Sequence, residues 1–152
     1  MKDLVLYCKS YRNDFLRLKR LLISIEKYNL NRIPFYISTP RADHELLISI
    51  LGDSSFIWVA DEDIVAANPR TNIQKYQSMP GGLSQAIVKS EFWRLEIAKS
   101  YLCLDSDCVF IRPFGKKDFL FSESVPYTVL HQNKEYFQLA INRGEGRVAQ
   151  NL

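Results

Sequence analysis

The stretch "DLVLYCKSYRNDFLRLKRLLISIEKYN", residues 3–29, decides the fold class, because its hydrophobic period changes halfway along. Residues 3–8, "DLVLYC", are an almost continuous apolar run, as expected of a strand covered on both faces. From Asn13 onward the pattern is helical, with Phe15, Leu18, Leu22 and Ile25 on one stripe that Leu21 and Tyr28 widen. Side chains three and four apart share a helix face, so this segment lays one apolar side on a core. Asn13 is the expected N-cap and Asp14 an acid in the first turn.

The same alternation continues outward. "IPFYIST" (33–39) reads as a strand, "DHELLISIL" (43–51) as a short helix and "FIWVA" (56–60) as a third strand. Residues 61–82, "DEDIVAANPRTNIQKYQSMPGG", read instead as a long polar loop, a length that a small domain uses mainly to cover or bind something. A helix over 83–100 and a strand from Tyr101, "YLCLD", follow, and then a strand at "YTVLH" (127–131) and a helix at "EYFQLAIN" (135–142). Strands alternating with helices predict an α/β domain, its sheet mixed but mostly parallel and flanked by helices. The helix over 83–100 is apolar around most of its circumference and should be largely buried. Only Gln85, Lys89 and Glu96 form a polar arc. Gln85 and Lys89, one turn apart, either reach a common ligand or form a thin solvent-facing stripe. Arg94 has Glu91 as a simple partner.

Length and composition narrow the alternatives. The 152 residues fit one compact domain spanning 1–152. A net charge of +3 gives no polybasic footprint for nucleic acid. The basic run "YRNDFLRLKR" reads as the wet face of a helix rather than a membrane or acidic-partner patch. Cys8, Cys103 and Cys108 form no CxxC pair and have no histidine nearby in sequence, so they are read as buried free thiols, not zinc ligands. No signal peptide and no transmembrane segment are evident, which predicts a cytoplasmic protein.

Chemistry concentrates at "YLCLDSDCVFIRPF", residues 101–114. In an extended segment residues two apart point to one face, with α-carbons roughly 6–7 Å apart. Asp105 and Asp107 are thus expected to converge while Ser106 faces away. Two carboxylates about 6 Å apart repel by ~3 kcal/mol at an effective dielectric near 20, so a semi-buried pair needs a proton or a cation between its members. Mg2+ or Mn2+, with open positions for phosphate, suits such oxygen donors. Asp-Ser-Asp is equally ordinary turn chemistry, its side chains bonding nearby amides. At the other expected strand end, Lys9, Ser10 and Arg12 precede a helix N-terminus that favours anions, although a generic βα loop looks the same.

An apolar strand, then DxD, then a short apolar stretch and Arg-Pro-Phe resembles the signature of GT-A-fold glycosyltransferases. It is most similar to a bacterial and viral-type branch whose motif reads like "LDSDVVFVRPF". Gly81-Gly82 followed by Gln85 and Lys89, and the opening "CKSYRNDF", are looser matches, so that the similarity spans most of residues 3–114. The resemblance implies a GT-A-like Rossmann-type domain binding a nucleotide-diphosphate-sugar donor bridged by Mn2+ or Mg2+. It makes Asp107 the direct metal ligand, and has Asp105 complete the coordination or contact the ribose beside Ser106. Lys9, Ser10 and Tyr11 fall where the nucleotide is lined, Asp61 near the base or ribose, and Lys89 with Gln85 near the sugar or phosphates.

The chain departs from that pattern after Asp107. It is short on the acceptor side, and Asp118, Glu123, His131, Glu135 and Glu145 supply no identifiable catalytic base. The acceptor stays unassigned, and a non-catalytic nucleotide-sugar module or a truncated donor-binding half is the alternative. "DSDCV" also fits the nucleophile motif of haloacid-dehalogenase-type phosphatases, with Asp105 attacking phosphate, but there the motif opens the fold and here it comes late.

Overall fold

The computed structural model describes residues 1–52, 54–122 and 125–127. Four strands, β1 (Lys2–Lys9), β2 (Phe35–Thr39), β3 (Ile57–Ala60) and β4 (Ala98–Leu104), form one sheet in the order β3-β2-β1-β4. Every pairing in it is parallel, with Tyr7 opposite Tyr36 on one side and Cys103 on the other. Helices α1 (Phe15–Tyr28) and α2 (His44–Leu51) follow β1 and β2, while α3 (Asp61–Ala66), α4 (Ile73–Gln77) and α5 (Gly81–Glu91) lie between β3 and β4. This is the expected α/β architecture of Rossmann type.

Alternation along β1 builds two cores. Leu4, Leu6 and Cys8 pack with Phe15, Leu18, Leu21, Leu22 and Ile25 of α1 and with Leu47 and Leu51 of α2. Val5 and Tyr7 face the opposite layer of Ile64, Val65, Tyr76, Val88 and Phe92. Each large side chain removed from water contributes about 1.5–3 kcal/mol, which is why a central strand tolerates no polar residue from Leu4 to Cys8. After β4 the chain runs back beside α1, where the Phe110 amide donates to Ser24 Oγ at 3.0 Å and Phe114 pairs with the end of the helix. A small antiparallel pair, β5 (Leu120–Ser122) with β6 (Val125–Pro126), was not anticipated.

Several local expectations are corrected. α1 is entered through a 3-10 turn over Arg12–Asp14, so Asn13 caps nothing, and the Asp14 carboxylate pairs with Arg17 at 2.9 Å instead of capping. Residues 61–82 are not a continuous loop: α3 buries Ile64 and Val65, and α4, capped by Asn72 on the Lys75 amide, buries Tyr76. Their five and six residues are too few for a period to show. The helix expected over 83–100 stops at Glu91, a 3-10 turn Phe92–Leu95 follows, and left-handed Glu96 (φ 50°) turns the chain into β4. At this boundary Phe92 buries its ring in a stack on Tyr7 with centroids 3.7 Å apart.

α5 is also less buried than its composition suggests. It meets the sheet along one narrow line, so only Val88 is fully covered and Leu83 stays exposed. Arg94 pairs with Glu91 as expected, but Glu96 lies beyond the helix and leaves the polar arc. Of the thiols, Cys8 is buried while Cys103 and Cys108 are exposed. The strand expected from Tyr127 and the helix at 135–142 lie, past Tyr127 itself, outside the described residues. Among the described residues no helix is long and apolar enough to cross a membrane.

Candidate functional site

The strand order reverses between β1 and β4: from β1 the chain proceeds to β2 and β3 on one side, then returns to lay β4 on the other. Open parallel sheets bind ligands in the crevice beyond the carboxyl ends of their strands at such a switch point. Here the two strand ends are Lys9-Ser10 and the turn that begins at Asp105. Polar residues are buried at this rim, among them Lys9, Ser10, Ser38, Thr39, Asp61 and Ser106. Removal of polar groups from water is costly without partners, so each one calls for an account.

Most are satisfied locally. The Tyr7 hydroxyl and Ser38 Oγ lie 2.8 Å apart, and Trp58 Nε1 donates to Thr39 Oγ1 at 2.9 Å. Ser10 Oγ donates to Ser106 Oγ at 3.2 Å, tying the end of β1 to the turn after β4. Asp61 is the exception. Lys9 Nζ lies 2.9 Å from its Oδ2, with side chains 7% and 1% exposed, yet among the described residues neither carboxylate oxygen has an aligned hydrogen bond. Lys9 Nζ also donates to the Ser10 carbonyl at 2.7 Å. Burial raises the Asp61 carboxyl above the ordinary range, and Lys9 offsets only part of that rise.

The Asp105–Asp107 segment is a tight turn, not the extended strand expected, closed by the Cys108 amide on the Asp105 carbonyl at 3.1 Å. The side-chain orientations change accordingly. Ser106, expected to face away, is the buried member, and both acids are exposed. Asp105 and Asp107 nonetheless line one open cleft of about 170 Å3, together with Ser106, Gln85, Asp14 and Arg17. Lys89 Nζ reaches Asp105 Oδ1 at 2.5 Å, so the two arc residues of α5 do arrive at the same place.

Of the residues singled out in the sequence, Ser10, Gln85, Lys89, Asp105, Ser106 and Asp107 are thus gathered at the switch point, with Lys9 and Asp61 buried along the same rim. Tyr11 projects from it and is 44% exposed. Arg12 turns away, its Nε donating to Asp43 Oδ1 at 3.0 Å. Asp14 and Arg17 were missed as cleft residues because their spacing reads as the wet start of α1. Ser38 and Thr39 were missed because a strand-end serine or threonine carries no distinguishing pattern.

Among the described residues no three His, Cys, Asp or Glu side chains come close enough to form a metal cluster. The oxygen donors on the cleft are hard: the two carboxylates of the turn, the Asp14 carboxylate that Arg17 already pairs, the Ser106 hydroxyl and the Gln85 amide. That set fits a dication such as Mg2+, which is commonly held by one or two carboxylates with phosphate oxygens and water completing the shell. No curated protein and no solved structure matches the chain. A family model matches residues 3–142, nearly the whole sequence, and by it the chain belongs to DUF6492, a family of unknown function.

Proposed function

We propose that the protein is a metal-dependent glycosyltransferase of GT-A type, or the donor-binding half of one, taking a nucleotide-diphosphate sugar with Mn2+ or Mg2+. The observation that carries this reading is the position of the Asp105–Asp107 turn, at the switch point of a parallel sheet and on a cleft shared with Gln85 and Arg17. Asp107 and Asp105 would hold the ion, which when bound supplies Lewis-acid stabilisation to a departing diphosphate. The chain's own residues do the rest. Ser10 fixes the turn through Ser106. Exposed Tyr11 offers a ring beside the nucleotide path, and Arg17, whose guanidinium pairs with Asp14, offers a donor fork to phosphate. The Lys9–Asp61 pair would set the polar floor on which the nucleoside rests.

A non-catalytic donor-binding role has one observation in its favour. Asp118, the one described acid after Asp107, accepts from the Gly115 amide at 2.8 Å and is not among the cleft residues. Thermal unfolding with a panel of nucleotide sugars, with and without Mn2+, tests the proposal. The preferred donor at a hundredfold excess over Kd should stabilise the fold by about 2.7 kcal/mol, and only with metal. No shift with any nucleotide sugar overturns it. Donor hydrolysis or transfer then separates the enzyme from the module, and beryllofluoride capture on Asp105 would indicate a phosphatase instead.

A further inference from the structure

Asp105 is held by an ammonium from the neighbouring helix. Lys89 Nζ lies 2.5 Å from Asp105 Oδ1, and the Lys89 side chain is only 23% exposed where Asp105 is 63% exposed. The Lys89 carbonyl accepts from the Tyr101 hydroxyl at 3.1 Å, which pins this residue of α5 to β4. Asp107, across the turn, has no ion pair among the described residues. One carboxylate of the turn thus carries an internal cation and the other does not.

We infer that Lys89 is a tethered counter-ion that competes with the dication for Asp105 and turns to the diphosphate once the dication is bound. The inference rests on the donor-binding reading above and adds to it how the site is regulated. An ammonium left on the same carboxylate sits roughly 5 Å from a dication and repels it, so metal alone binds weakly. A diphosphate brings anionic oxygens that accept the released ammonium. Lysine suits both tasks, since its charge is compact and its four-carbon stem swings freely. Metal and diphosphate therefore bind with positive coupling, each raising the affinity of the other by the same factor. The device keeps bare metal off the cleft until a donor arrives with it.

The test compares wild type, Lys89→Met and Lys89→Arg by calorimetric titration, first with Mn2+ alone and then with uridine diphosphate at saturating Mn2+. Lys89→Met should bind Mn2+ alone about tenfold more tightly, the effect of one charge removed at about 5 Å in water. The same variant should bind uridine diphosphate more weakly than wild type. Lys89→Arg, which keeps the charge, should match wild type with Mn2+ alone. If wild type binds Mn2+ and Lys89→Met binds it no better, the counter-ion role is wrong while the metal site stands. Unchanged uridine diphosphate affinity in Lys89→Met overturns the transfer to phosphate. If none of the three folded proteins binds Mn2+, the metal reading fails and this inference fails with it.

Discussion

Replacing Lys9 by methionine removes the cation paired with buried Asp61 while keeping most of the side-chain volume. Both partners are nearly inaccessible, at 7% and 1% exposure, so solvent cannot take over the lost charge. Breaking a buried pair by deleting one partner costs about 3–5 kcal/mol, because the other charge is stranded. At the lower bound, about 3 kcal/mol, Tm should fall by about 6–12 °C in a domain of this size.

The pH dependence supplies a second signature. The Asp61 carboxyl has a raised pKa in the fold, so the folded state binds its proton more tightly than the unfolded chain does. Stability from this group therefore falls as pH rises from the ordinary carboxylate value through the folded one. Without Lys9 the carboxyl rises further, so the deficit of Lys9→Met should be largest at neutral pH and shrink on acidification toward about pH 4. Urea unfolding at several pH values measures it, and adding Asp61→Asn should recover most of the loss at pH 7. A Lys9→Met protein within about 1 kcal/mol of wild type at pH 7, or a deficit indifferent to pH, would refute the buried-pair account.

Two further outcomes follow from the packing. Phe92→Ala removes the ring stacked on Tyr7 and should cost about 3–5 kcal/mol, read as a lower urea midpoint. A thiol reagent at mild alkaline pH should label Cys108 readily and Cys103 more slowly in the native protein, since partial burial raises the Cys103 thiol, and Cys8 only on unfolding, since burial pushes its thiol up to about 12. Mass spectrometry of the labelled peptides distinguishes the three.

The first strand and helix were legible because their apolar positions are dense and their period is unambiguous: Leu4 to Cys8 and the Phe15–Ile25 stripe are buried as the spacing requires. The end of α5 was not, because the apolar pattern runs on through Phe92–Leu95 with no glycine or proline to mark the 3-10 turn and the left-handed Glu96. α3 and α4 were hidden for a different reason, their brevity. At the site, the residues that converge could be named from the two strand ends and the Gln85–Lys89 spacing. The conformation of the Asp-Ser-Asp turn could not. Whether Ser106 or its neighbours face inward depends on Ser10 offering it a buried partner 96 residues earlier in the chain. Local pattern carries no record of such a contact.

Crystals grown with Mn2+ and a nucleoside diphosphate, measured at the manganese absorption edge, address the metal site directly. A single anomalous peak between the Asp105 and Asp107 carboxylates, with diphosphate oxygens completing its shell, is the predicted result. A peak elsewhere, or a diphosphate seated at the rim with no metal on those two acids, would contradict it.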